Sequence, residues 1–398
     1  MTSPPLTQPK AAQPALAFWI HAQFVLIGVT TVLLGPLLPA IAAHWSLTDL
    51  QSGYFFSAQF AGNMLGSLLS TRLLPRWGFA RLCAVGMALL CLGLGIFGLA
   101  SWHVGLAGIF LNGLGMGLAI AASNLWAAES NPARRSSALS LLNFSWGAGA
   151  VACPFLIVAG LRLLPMTRLL PILGIFPLLF AVRFLNIPAS AGVDDSADSE
   201  STISPHEYRK LSYALIAILC FLYVGTETSL SGWIASYARA FSSVSAGSAA
   251  LAPSAFLAGL LLGRGLAPQV LRFHREYTIF TLGLLMAFAG SMLVLTTHLI
   301  PFLLVGAAIA GLGLSALYPI LLAVMSRELG AQSKRLGGFI FACSGIGGAT
   351  IPFLVGAISS HTGNRRTGLA LVLATIAALL AVTLSFSKYL AFSARETS

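Results

Sequence analysis

The chain has 398 residues, 57% of them hydrophobic and 8% charged, where about 25% charged is usual for a soluble domain. Its mean hydropathy is +0.87 and its net charge +11. These values exclude a soluble enzyme, a disordered regulator and a nucleic-acid binder; the basic excess must be read from where the charges fall.

Twelve apolar runs follow one another near 15–42, 53–73, 80–100, 104–127, 137–160, 168–187, 211–237, 247–266, 277–297, 301–325, 337–359 and 366–386. Each is about long enough for a transmembrane helix of roughly 20 residues. The runs are continuous rather than alternating, so they predict helices and not a barrel. The expected fold class is an all-α membrane protein of twelve transmembrane helices in two six-helix pseudo-symmetric halves. Residues 1–14 are a polar, Pro-rich N-terminal tail, and the first run is too long for a cleavable signal. Residues 15–187 form the first bundle, 188–210 a Ser-rich acidic linker, 211–386 the second bundle and 387–398 a C-terminal tail.

Cytoplasmic loops carry the excess of Lys and Arg. With the N-terminus inside, seventeen of the 22 basic residues fall on the cytoplasmic side, Arg264 counted among them. Arg162, Arg168, Arg239, Arg365 and Arg366 fall outside. Both termini and the linker are therefore expected in the cytoplasm, in a bacterial inner membrane. The five cysteines lie in apolar runs without metal-ligand spacing and read as small buried hydrophobes; no metal or cofactor is expected.

The halves repeat. Shifting the fourth and fifth spans by 198 residues lays Gly113 and Gly115 on Gly311 and Gly313, Gly147 and Gly149 on Gly345 and Gly347, and Pro154 on Pro352. A shift of 193 lays Gly66 on Gly259 and Pro75 on Pro268. Parallel repeats of this kind are a secondary-transporter architecture, with the solute near the midplane between the halves. The whole chain resembles the major facilitator superfamily. The stretch from Gly66 through Arg72, Arg76 and Gly78 to Arg81 is similar to its loop motif between the second and third spans, without the motif's acid. Tyr223, Gly225, Glu227, Gly232, Trp233 and Tyr237 in the seventh span, with Gly311, Gly313, Tyr318 and Pro319 in the tenth, resemble the fucose permease-like sugar/proton symporters. Leu34 and Gly35 stand where that group carries an Asn-Asp pair for coupling, so that role does not transfer.

Ionisable residues at membrane depth are costly and usually functional. Glu227 is the one acid placed there, about 20–24 Å into the seventh span, with no Lys or Arg expected at mid-depth to pair with it. Apolar surroundings favour the neutral acid, and Glu227 is the expected proton carrier; the alternative is an acid that only hydrogen-bonds its neighbours. Tyr223, Glu227 and Ser231 share a helix face. Carboxamides within spans cluster in the first half, among them Gln23, Gln59, Asn63, Asn112 and Asn143, whereas Gln269, Gln332 and Asn364 in the second half map to loops. Amide donors and acceptors suit the hydroxyls of a neutral polyol, although interhelical hydrogen bonding is the common use of such residues in membranes. Trp146 or Trp126 would cover a sugar face, and Tyr223 and Tyr318 complete the candidate binding set. Glu129, Arg134 and Arg135 are candidate cytoplasmic gate residues.

The sequence thus predicts a monomeric transporter of a small neutral polar solute, a sugar, coupled to protons through Glu227. The alternatives are a proton-coupled exporter of drugs or lipophilic molecules, and a membrane receptor that carries no flux. An organic-anion carrier ranks lower, since it calls for a cation at mid-depth. An enzyme is not expected: no P-loop and no nucleophile triad is present.

Overall fold

The computed structural model describes residues 14–97, 101–130, 135–187, 210–241, 249, 251–329 and 333–386. Both tails, Pro14 excepted, and the 188–210 linker, Lys210 excepted, lie outside the described residues, as do Arg134 and the side chain of Arg135.

Among the described residues every regular element is a helix. The first span is a bent pair, α1 (Pro14–Val32) and α2 (Leu34–Trp45), with a 44° angle between them. Pro36 has no N–H, and its ring opposes the carbonyl of Val32, where α1 stops. α3 (Asp49–Phe97) runs for 49 residues, about 70 Å of helix, twice the thickness of a bilayer core. It turns at Gly78, where φ is 70° and ψ 170°, a conformation closed to side chains with a Cβ. Its two arms are the second and third spans. α4 (Trp102–Ser130), α5 (Arg135–Leu163) and α6 (Met166–Leu185) complete the first half.

The second half contains α7 (Lys210–Phe241), α8 (Ala252–Phe273) and α9 (Glu276–Thr296). The tenth span is broken into α10 (Ile300–Leu314) and α11 (Leu317–Leu329). The break has a local cause, because Pro319 cannot donate to the carbonyl of Ser315 four residues earlier. α12 (Ser333–Thr362), the short α13 (Arg365–Leu369) and α14 (Leu371–Phe386) follow. Ten helices or helix stretches are long and apolar enough to cross a membrane. The bent pair adds an eleventh span, and dividing α3 at Gly78 brings the number to twelve.

Close packing rather than water exclusion joins helices in lipid, and glycine carries it. A Cβ at Gly113 would lie 2.0 Å from the carbonyl oxygen of Gln59, and one at Gly311 2.0 Å from that of Phe256. A Cβ at Gly86 would meet the Gly115 carbonyl, and one at Gly283 that of Gly313. The repeat between halves is therefore built from the same contacts. One register needs correction. Gly62 packs on Phe110 as Gly259 packs on Ala308, so the partner of Gly259 is Gly62 and the second and eighth spans align one helical turn away from the shift of 193.

One apolar core crosses both halves, joining Leu37, Phe55 and Phe56 to Leu230, Trp233 and Phe256. A second lies wholly in the first half around Phe24, Phe79, Met87 and Trp126. The halves meet where α3 packs on α12, α2 on α7 and α5 on α8.

Candidate functional site

The middle of the eighth span holds a cation. Arg264 lies twelve residues into α8, about 18 Å along a helix of about 33 Å. Its Nη2 is 3.4 Å from Glu227 Oε1, and the two side chains are 27% and 18% exposed. Neither is sealed in the core, so both remain open to a solute. Two expectations are corrected together. The eighth span covers Ala252–Phe273 rather than 247–266, so Arg264 belongs to the membrane and not to the cytoplasmic count, and Glu227 does have a partner at its depth. The ground for preferring an uncharged solute, the lack of such a cation, falls with them.

Three aromatic rings surround the pair. The Arg264 guanidinium sits 5.7 Å from the centre of the Trp146 ring, within cation–π range. Trp146 Nε1 donates to Thr31 Oγ1 at 3.2 Å, which ties α5 to α1 and fixes the ring. Tyr223 and Tyr318 stack with centroids 5.4 Å apart and planes 19° apart. The Tyr223 hydroxyl is buried without a hydrogen bond of good geometry, although both Glu227 and Arg264 face it. The expected stripe on α7 is partly present: Tyr223 and Glu227 face the site, while Ser231 returns its hydroxyl to the Glu227 carbonyl at 2.9 Å. The tenth-span break positions Tyr318 one residue beyond the start of α11.

Of the expected binding residues, Trp146, Tyr223, Glu227 and Tyr318 come together. The carboxamides do not join them. Gln23 is fully buried, and its Nε2 donates to Ser123 Oγ at 3.0 Å. Gln59 donates to the Thr30 carbonyl at 3.3 Å. Asn112 is fully buried with neither amide atom hydrogen-bonded. Asn143 is exposed and donates to Leu139 O within its own helix, and Asn63 is half-buried. Gln269, expected in a loop, sits inside α8. Trp126, expected to be free to cover a sugar, is packed in the core against Phe79 and Phe184. Glu129 lies in the last turn of α4, and its expected partners Arg134 and Arg135 fall outside what is described.

The sequence also hides a second polar cluster. Asp49, at the start of α3, binds Arg365 through both oxygens, with Nη2 to Oδ1 at 2.9 Å and Nε to both oxygens at 3.0 Å. Ser359 Oγ donates to the same carboxylate, and the Leu50 N–H donates to Ser360 Oγ at 2.6 Å. Below it, Gly53 abuts Phe353, Ser57 Oγ donates to Ala349 O, and Phe60 covers Gly348. This seam joins α3 to α12 from the end of the span to near its middle. Clefts of about 490 and 310 Å³ flank the Asp49–Arg365 bridge.

Twelve apolar helices long enough to cross a membrane, in two repeated halves with a partly exposed ion pair against Trp146 where the halves meet, are the architecture of a membrane transporter. The Major Facilitator Superfamily model matches residues 22–352, and the chain belongs to that superfamily. It is 23% identical over 355 residues to the glucose/mannose transporter GlcP of Bacillus subtilis, covering 84% of this chain and 86% of the relative. The xylose transporter XylE of Escherichia coli, inward open, superposes with a TM-score of 0.72 at 15% identity over 92% of this chain and 95% of that one. A variant of the E. coli fucose:proton symporter FucP superposes at 0.62 with 18% identity, over 94% and 98%.

Proposed function

We propose that the protein carries a small polar solute of the sugar class by alternating access, and that Glu227 couples this movement to protons. The observation that carries the reading is the Glu227–Arg264 pair, half-open among Trp146, Tyr223 and Tyr318 where the halves meet. The similarity to GlcP, XylE and FucP supports the solute class. Ionised Glu227 holds Arg264. A proton arriving on Glu227 dissolves the ion pair and frees the guanidinium and the Tyr223 hydroxyl for the solute. The rings cover the solute's apolar face. Loss of the proton restores the pair and expels the solute. Asn63 and Asn143 are not sealed in the core, while Gln23 and Gln59 tie helices of the first half together and Asn112 is buried without a hydrogen bond.

In this reading both termini are cytoplasmic, the protein acts as a monomer in a bacterial inner membrane, and the Asp49–Arg365 seam is the closed outer gate. Glu129, Arg134 and Arg135 then line the opposite, cytoplasmic entrance.

The test is uptake of labelled hexoses, deoxyhexoses and polyols into proteoliposomes with and without an inward proton gradient. Gradient-driven accumulation is expected in the parent protein. Glu227→Gln is expected to lose accumulation and keep solute exchange. Accumulation that survives in Glu227→Gln contradicts the assignment. The three rings around the pair also favour a second reading, export of flat lipophilic molecules. That reading predicts no sugar flux and proton-driven extrusion of an aromatic dye.

A further inference from the structure

Proton uptake by Glu227 creates a second requirement, at Arg264. Among the described residues the guanidinium is held at mid-membrane by the Glu227 carboxylate, with the face of Trp146 and the hydroxyls of Tyr223 and Tyr318 beside it. None of those three is an anion. Tyr318 in turn faces Cys220 and Ser344, which are neutral. When Glu227 is neutralised, Arg264 is left as an uncompensated cation in low dielectric, the arrangement that proteins tolerate least. A neutral sugar does not relieve it.

We propose that the solute bears a carboxylate, and that this group takes the place of Glu227 on Arg264 whenever Glu227 carries the proton. This rests on the reading of Glu227 as proton carrier. The fork of the guanidinium accepts a carboxylate through two parallel hydrogen bonds. Among the described residues Arg264 is the cation at the site, so a monoanion fits and a phosphate dianion leaves one charge unmatched. The stacked Tyr223–Tyr318 pair and Trp146 suit a ring or chain bearing hydroxyls. The substrate class is therefore a hydroxylated monocarboxylate of the sugar-acid type. One proton enters with one carboxylate and the pair Glu227–Arg264 re-forms when both leave, so no net charge crosses the membrane.

The experiment uses matched probes, D-glucuronate against D-glucose and D-gluconate against D-sorbitol, in proteoliposomes where a pH gradient and a valinomycin–potassium potential are imposed separately. The expected result is accumulation of a sugar acid at least tenfold above its neutral partner, driven by the pH gradient and unchanged by the potential. Glu227→Gln/Arg264→Gln, which removes both charges together and spares the fold an unpaired one, is expected to lose that preference. Accumulation of the neutral partner driven by both the gradient and an inside-negative potential overturns the inference and leaves the proton-coupled sugar reading standing. Sugar-acid preference that persists in the double variant also overturns it. Proton-independent flux of every probe removes the role of Glu227, and the inference with it.

Discussion

Trp146 joins two tasks in one side chain. Its Nε1 holds Thr31 on α1, and its ring lies against Arg264 on α8. A cation–π contact of this kind contributes about 0.5–2 kcal/mol. Trp146→Ala should raise the KM for uptake by roughly 2- to 30-fold on that basis. Trp146→Phe keeps the ring and should cost less; equal losses in the two variants would show that the ring contact is unimportant. Removing one partner of a buried ion pair costs about 3–5 kcal/mol, and the partial exposure of both groups here reduces that. Arg264→Gln alone should therefore lower the melting temperature in detergent more than Glu227→Gln/Arg264→Gln does. At this scale the sequence reveals Glu227, because a lone acid among apolar residues stands out. It conceals Arg264, because a charge flanked by Gly263 and Gly265 looks like the end of a span. Only the continuation of α8 to Phe273 shows that the helix passes through it.

The contact between helices depends on where a Cβ would fall. Gly113→Ala and Gly311→Ala each set a Cβ 2.0 Å from a carbonyl oxygen across the interface. Both should destabilise the protein by about 1–3 kcal/mol, the usual cost of overpacking, and lower the melting temperature. At Gly95 nothing lies within 4 Å. Gly95→Ala should leave stability unchanged or raise it through helix propensity, by up to about 1 kcal/mol. Similar melting temperatures for Gly95→Ala and Gly311→Ala would refute this account of the packing. Pro154 and Pro352 set the offset between the fifth and eleventh spans, and the glycines of the fourth and tenth agree with it. The second and eighth spans are ambiguous in sequence, since Gly62 and Gly66 stand one turn apart, as do Gly259 and Gly263. Only contacts with Phe110 and Ala308 separate the two registers. The turn in α3 is legible by contrast, since the apolar runs 53–73 and 80–100 bracket it. The chain reverses there on the backbone of Gly78.

The molecule as a whole is two repeated halves fastened at one end. Asp49, Ser359, Ser360 and Arg365 form the fastening, and the apolar core crosses between halves beside it. Asp49→Asn or Arg365→Gln should loosen that end. Ser236, buried beneath the bridge, reports on it: as cysteine in a background lacking the native thiols, it should resist an impermeant maleimide in the parent and react in either variant. The exchanged pair Asp49→Arg/Arg365→Asp should restore part of the protection, and unchanged protection throughout would show that the bridge is no gate. The number of spans and the halves are legible in hydropathy and charge placement, but Asp49 and Arg365 read only as separate loop charges because their meeting depends on tertiary packing. The central claim is that solute movement carries protons through Glu227. It is tested most directly with a pH-sensitive dye sealed inside proteoliposomes, adding D-glucuronate or D-glucose outside with no gradient imposed. The account predicts internal acidification on solute addition in the parent and none in Glu227→Gln. Solute entry without acidification in the parent, or equal acidification in the variant, would contradict it.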